Sequence, residues 1–454
     1  MANHDDDPGA LLALAEQVAG WARDDEGVEV VVGHSRETEV RAYDGEIESF
    51  VASESRGVGI RVVQGSRQGF AWAGSHDLDV LRETLAEAQD NARFATEDPH
   101  VGLAEPDGVA PVALELHDGR LDSVPTERKL QLALELERCI LAGDPRMAGV
   151  ESADYSDAVS VAAVVSSTGI RALERDSVCS LSAYSLAGDG DETTTGFGFS
   201  VARSPEDLDL EACAADAVDR AVRLLGAGRM PTGRLTVVLD PWVTAQLLSV
   251  VAEAFSGTEV LRGRSWLADR VGEKVAPEWV TLADRPTDPR WIGAASVDDE
   301  GLATRTVPLI EAGRVQGFVH DSYSARATGT TSTGSAVRAG HRSTPSAGVR
   351  AVVLDPGAAA PARILAEVGE GLYVSEVQGM HSGVNPVSGD FSTGVEGMVI
   401  RDGALAEPVR EITIASTLPR MLSGIRAVGD DLTPLPLDAA GVTLAIDDVS
   451  VSGS

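Results

Sequence analysis

The stretch QGMHSGVNPVSGDFSTGVEGMVIRDGALAEPVREITIAS, residues 378–416, carries more structural information than any other part of this chain. It opens as a loop around Asn385-Pro386 and Gly389-Asp390. It continues as two strands meeting at Arg401-Asp402-Gly403, where Asp-Gly suits a tight hairpin. Closely spaced glycines among Asn, Asp and Ser let backbone approach a ligand and present N–H donors. On the residues alone, a binding loop and a tight structural turn account for the segment equally well.

Upstream, the second half begins at LTVVLDP (235–241), a short buried strand, followed by a helix from Trp242 to about Phe255. Short strands and Gly/Ser/Thr-rich loops fill the rest. The loop at 327–349 is long and without periodicity, which inside a compact domain marks function or disorder. The first half starts with helical spacing over 11–23. Val28–Val32 and Glu39–Tyr43 are strand-like and run to Asp44-Gly45, a second hairpin dipeptide, with the return strand from Glu46. GVGIRVV (57–63) and GFAWAG (69–74) extend this as an antiparallel meander. Amphipathic helices are expected at Asp77–Phe94 and Thr126–Leu141, strands at 158–165, 169–174 and 178–187, and a helix over 205–225 stopped by Gly226. GAGRMPTG (226–233) reads as a linker, giving domains 1–226 and 233–454. No internal repeat is evident.

Two domains also suit a length of 454 residues, and 43% hydrophobic content supports a sizeable interior. A net charge of −34 argues against nucleic acid and against anionic membrane, because such a chain repels phosphate. Cys139, Cys179 and Cys213 are odd in number and unpaired by motif, so no disulfide framework is expected. The acidic start His4-Asp5-Asp6-Asp7 does not read as a secretory signal, and no apolar run reaches membrane-spanning length. The expected location is cytoplasmic.

Phosphate-loop, nucleophile-elbow and dinucleotide motifs are missing. None of the eight histidines has a second about one helical turn away with a Glu beside it, so no zinc helix can be built from this chain. No catalytic residue and no metal ligand is assigned.

Four stretches carry a family resemblance: GVGIRVVQGSRQGFA (57–71), Ser322-Tyr323-Ser324-Ala325-Arg326, the GVNPVSGDFS loop with PVREITIA after it, and Ala427-Val428-Gly429-Asp430-Asp431-Leu432. In these the chain resembles the TldD/PmbA family, the so-called modulator of DNA gyrase proteins. The resemblance implies an α+β fold of two domains, an N-terminal antiparallel meander with helices and a C-terminal strand-rich mixed α/β domain. It also implies a two-subunit metallopeptidase. In the TldD kind, a helix after a strand carries HExxxH and a later cysteine completes a zinc site. In the PmbA (TldE) kind those residues are missing. Aligned on Leu247-Leu248, this chain has Ser249 and Ala254 at the histidine positions and Val250 at the Glu position, and Cys213 is its last cysteine.

The resemblance thus implies a TldE-like subunit with no cofactor of its own, zinc being expected in a TldD-like partner. That partner would work on a peptide or peptidyl substrate. Expected substrate or interface contacts are Tyr323, Ser324, Arg326, His341, His381, Asn385, Asp390 and Ser392. Arg326 suits a peptide carboxylate, with an interior salt bridge an equally good account. His320 reads as a strand histidine. Glu253 is a base only if the loops bring a substrate beside it. Two alternatives stand: a subunit of a pathway-specific hydrolase acting on a biosynthetic intermediate, and a non-enzymatic regulator.

Overall fold

In the computed structural model, residues 7–453 are described except Asp191 and His381. The two Asp-Gly dipeptides do what their chemistry allows. Asp44 and Gly45 have φ of 53° and 75°, and Asp402 and Gly403 have 49° and 78°. Positive φ at both central residues is the tight turn whose twist matches paired strands. The first turn joins β1 (Gly27–Tyr43) to β2 (Glu46–Gln64), and the second joins β15 (Asp390–Arg401) to β16 (Ala404–Thr417).

The strands of the first half are far longer than the short runs expected. With β3 (Arg67–Ala73), β4 (Met147–Ser166), β5 (Arg171–Asp189) and β6 (Glu192–Ala202), they form one antiparallel sheet in the order β3-β2-β1-β4-β5-β6. Helices α1 (Pro8–Ala19), α2 (Leu78–Phe94), α3 (Thr126–Gly143) and α4 (Leu210–Arg223) pack on it. The expected helix at 205–225 is in fact a 3-10 turn at 205–207 followed by α4, whose N-cap is Asp209, bonded to the Ala212 N–H.

An internal repeat, not evident in the sequence, is plain in the element order. Helix, three antiparallel strands and helix occur twice, as α1-β1-β2-β3-α2 and α3-β4-β5-β6-α4, joined through the β1–β4 pairing. Two cores lie under the sheet, one beneath α1 and α2 and one beneath α3 and α4, and β1 and β4 each contribute to both. Leu11, Val30, Ile60, Leu81 and Val161 belong to one, and Leu136, Ile140, Tyr155 and Leu181 to the other. Each copy also seats its last helix on a glycine of its third strand. A Cβ on Gly69 would lie 2.0 Å from the Ala88 carbonyl of α2, and one on Gly196 2.3 Å from the Ala217 carbonyl of α4. The repeat leaves no sequence pattern because the copies share backbone spacing and burial, which many different residues satisfy.

In the second half, β7 (Gly233–Leu239), β14 (Gly371–Gln378), β17 (Ile425–Val428) and β18 (Leu444–Ser452) join the second hairpin. Together they make a sheet in the order β16-β15-β14-β7-β18-β17. Only β7 and β14 run parallel in it, and β16 also pairs with β18. A smaller sheet is built from β8 (Leu282–Asp284), β9 (Val307–Glu311), β10 (Arg314–Val315) and β13 (Val352–Leu354). The pair β11 (Ala336–Val337) and β12 (Ser346–Ala347) stands apart from both.

Helix α5 (Pro241–Glu253) drives Val243, Leu247, Leu248 and Val251 into the core of this half. Four short helices follow, α6 (Gly257–Leu261), α7 (Ser322–Thr328), α8 (Pro361–Val368) and α9 (Leu418–Ser423). The architecture is α+β.

The two halves are bonded across buried polar groups. On the sheet face opposite the helices, Arg61 bridges Glu29 (2.5 Å) and Glu300 (3.2 Å), while Arg338 reaches Glu29 at 2.8 Å. Elsewhere Asp240 takes both Arg220 (3.0 and 3.1 Å) from α4 and the Tyr373 hydroxyl (2.8 Å) from β14. Among the described residues no helix is long and apolar enough to cross a membrane.

Candidate functional site

Helix α5 begins where Asp240 caps the Trp242 N–H at 2.9 Å, with Pro241 at its first position. Its apolar face is buried, so the residues one turn apart on the other side, Ser249 and Glu253, look outward. They line a cleft of about 520 Å³ together with Ser256, Glu259, Arg262 and Asp438. The C-terminal end of α5 is pinned. The Gly257 N–H bonds the Val319 carbonyl and the Val319 N–H bonds the Phe255 carbonyl, both at 2.9 Å. The short helix α6 then carries Thr258 and Glu259 over the cleft.

A second depression of about 430 Å³ continues the cleft toward the first half. It shares Thr258, Arg262 and Ser346 with the first and adds Asp98, Asp321 and Tyr323. The two depressions adjoin and together make a passage in which polar and charged groups sit among apolar ones such as Val337, Val349 and Pro386. Burial raises the Glu253 carboxyl above its usual range, helped by Glu259 and Asp438, and burial likewise raises Asp438. The Ser249 hydroxyl is buried and, among the described residues, has no hydrogen-bond partner.

This wall is the place where the resemblance puts HExxxH, and its residues do not fit a metal. Ser249 offers a neutral hydroxyl. Val250 packs against the core and Ala254 is 5% exposed. Among the described residues there is no group of three or more His, Cys, Asp or Glu able to hold a metal ion. His320 bonds Ser324 Oγ at 3.1 Å and is packed against Gly257, where a Cβ would lie 2.3 Å from its Nδ1. Burial lowers its pKa. What the passage can do is hold a polar, extended ligand by hydrogen bonds and charge.

The anticipated contact residues scatter. Tyr323, in α7, opens on the passage and donates to Asp98 at 2.8 Å. Ser324, the next residue, is fully buried, and its N–H is held by the Asp321 cap of α7. Arg326 donates to the carbonyls of His100 (2.8 Å), Gly102 (2.7 Å) and Leu103 (3.2 Å). It therefore holds a segment of the first half instead of forming either a free carboxylate fork or a salt bridge. His341 lies outside the passage, on the sheet of the first half. A Cβ on Gly57 would lie 2.2 Å from its Nε2, and one on Gly59 2.3 Å from its carbonyl oxygen. Bare backbone in the strand admits the ring.

Asn385 Oδ1 accepts from the N–H groups of Val387 and Ser388, and Asp390 accepts from Ser388 Oγ at 2.7 Å. The Ser392 N–H bonds the Gly383 carbonyl. These three therefore shape the loop, and its neighbour Pro386 is the residue that reaches the cleft. His381 lies outside the described residues. The loop at 327–349 is built from short pieces, β11, a 3-10 turn at 340–342 and β12. Ser256, Thr258, Glu259, Arg262 and Asp438 were not anticipated, because no motif marks residues that meet only through the α5–α6 turn and a distant loop.

Comparison with known proteins agrees with this architecture. Three family models match in succession: PmbA/TldA metallopeptidase domain 1 at 28–93, the central domain at 119–225 and the C-terminal domain at 232–453. The first two fall on the two copies of the structural repeat. The chain is 28% identical to a metalloprotease PmbA homolog of Haemophilus influenzae, over 90% of this chain and 88% of that one. It is 27% identical to metalloprotease PmbA of Escherichia coli O157:H7, with the same coverage. TldE from Thermococcus kodakarensis superposes with a TM-score of 0.87 over 98% of this chain and 99% of that chain, at 24% identity, a likeness of fold. With its three successive segments matched across nearly the whole length, this chain belongs to the PmbA/TldD metallopeptidase family.

Proposed function

We propose that this chain is the TldE-like, zinc-less subunit of a two-subunit metallopeptidase. A TldD-like partner bearing HExxxH supplies the zinc and the general base, and this chain supplies a wall of the peptide channel. The observation that carries the reading is the face of α5, where Ser249 and Glu253 line a cleft at the motif position while Val250 packs against the core and Ala254 belongs to the interior. Zinc in the partner would polarise the scissile carbonyl and activate water. Here the passage would orient an extended peptide, with Glu253, Glu259 and Asp438 offering acceptors to its N–H groups and Arg262 a donor to its carbonyls. The cleft, at about 520 Å³, admits a few residues of chain and no folded domain.

Metal analysis and peptide hydrolysis test this directly. The chain purified alone should hold no stoichiometric zinc and cleave nothing. Co-expressed with an HExxxH-bearing relative, it should co-purify as a pair that binds zinc and hydrolyses unfolded peptides. Stoichiometric zinc in the single chain, or hydrolysis by it, sinks the proposal.

A further inference from the structure

The loop between β11 and β12 lies against the sheet of the first half and encloses a depression of about 370 Å³. None of its described lining residues belongs to the passage. The floor is made of small side chains on the paired strands β1 and β4, with Gly33 opposite Ala162 and Ser35 opposite Ser160. The wall is the loop, from which Arg338, His341 and Arg342 carry the chemistry. The Arg338 side chain is 3% exposed. Its Nη2 donates to Glu29 Oε1 and to the Asp299 carbonyl, and among the described residues its buried Nε has no acceptor. A buried charged donor left unpaired is costly, so the place calls for an oxygen from outside the chain.

The other two groups are set by one indole. Arg342 lies over the Trp72 ring at 4.7 Å, and His341 meets the same ring edge-on at 6.0 Å. Arg342 Nε donates to His341 Nε2 at 3.4 Å, and among the described residues no carboxylate pairs with Arg342. Burial lowers the His341 pKa, with Arg342 adding to it. A neutral ring that accepts at Nε2 carries its proton on Nδ1. That nitrogen lies over the floor, 3.9 Å from where a Cβ on Gly33 would stand. Asp299 is the one carboxylate in the lining, and it is taken by Arg350 and by the Arg338 N–H, both at 2.8 Å. In a chain of net charge −34, this lining therefore offers N–H donors and an unpaired guanidinium. A cationic ligand would meet two arginines, and an apolar one would leave Arg338 Nε stranded.

We propose that this depression binds a small oxyanion, the phosphate or carboxylate group of a small molecule, held by Arg338, His341 and Arg342. Val337 and Ser346, at the two ends of the same loop, line the cleft beside Glu253, so the bound anion fastens part of the cleft wall. The site needs neither a partner subunit nor zinc. Calorimetric titration of the full chain at constant ionic strength, with inorganic phosphate and separately with succinate, tests it, and hydrogen exchange is read over 336–347. At least one anion should bind saturably and slow exchange there. Arg342→Gln and His341→Gln, at an exposed and a half-buried position, should each weaken binding by about tenfold. Arg338 is left intact, because its loss would unpair Glu29. Binding of phosphate alone or of succinate alone names the source of the oxyanion and supports the site. No saturable binding of either overturns it. So does binding that both variants leave unchanged, or that leaves exchange at 336–347 unchanged, since the anion then sits elsewhere.

Discussion

Replacing Asp240 with alanine should cost about 4 kcal/mol, the sum of a lost helix cap and a broken buried ion pair. Its carboxylate caps α5 through the Trp242 N–H, takes the Arg220 guanidinium through both oxygens, and accepts the Tyr373 hydroxyl at 2.8 Å. Loss of a cap costs about 1 kcal/mol. Breaking a buried ion pair costs about 3 kcal/mol or more, because the surviving charge is stranded. Asp240 and Arg220 side chains are 8% and 16% exposed, so water screens little of this. Arg220 would keep its bond to the Ser375 carbonyl and its place over the Phe197 ring at 4.4 Å, which holds the total near the lower bound. Urea unfolding of wild type, Asp240→Ala, Arg220→Met and the double variant closes a thermodynamic cycle, with a coupling of about 2 kcal/mol expected. Asp240→Asn, which retains a capping oxygen, should lose less than Asp240→Ala. A loss under about 1 kcal/mol, or additive single effects, would refute the account of α5 as clamped to the first half by this carboxylate.

The same geometry fixes three further outcomes. Gly57→Ala should destabilise by about 1 kcal/mol, the low end of overpacking because the His341 ring can swing aside. Adding His341→Ala should recover most of that loss in the same denaturation assay; no recovery would mean the ring is not what the glycine admits. Arg326→Lys keeps the charge and loses the three-carbonyl fork, so about 2 kcal/mol should go, with faster hydrogen exchange at 100–103 as the local readout. Thermal midpoints should fall as pH rises from about 4.5 to 7. Burial pushes Asp298 up to about 7, with Glu300 adding to it, and burial pushes Asp284 and Asp176 each up to about 6. Folded pKa values above the ordinary 3.8 mean the folded chain holds more protons in that window, so stability is full below it and lost as pH rises through it. A midpoint that rises over the same range would contradict this.

Much of the fold was legible because its signals are local. Asp44-Gly45 and Asp402-Gly403 turn as their backbone freedom dictates, and the helical spacing at 77–94 and 126–141 is found as helix at 78–94 and 126–143. Strand lengths and the repeat were not legible. The pairing of β1 with both β2 and β4 runs through polar stretches such as Ser35–Glu39, where alternation gives no hydrophobic signal. The contact residues show the same division. Tyr323 does reach the passage, while Ser324 and Arg326, close to it in sequence, are spent on the interior.

Residue chemistry at given positions was enough for the turns, the amphipathic helices and the family pattern. It was also enough to show a chain whose eight histidines contain no zinc-helix pair. Those properties do not depend on what lies across space. The folded chain was needed to bring Ser249, Glu253, Arg262 and Asp438 into one cleft, to set Arg326 and His341 as ties between the halves, and to join the two repeat copies through the β1–β4 pairing. Each of these depends on segments tens to hundreds of residues apart. It is set by which backbone groups find partners and by how closely glycine lets chains approach, and the order of the residues states neither.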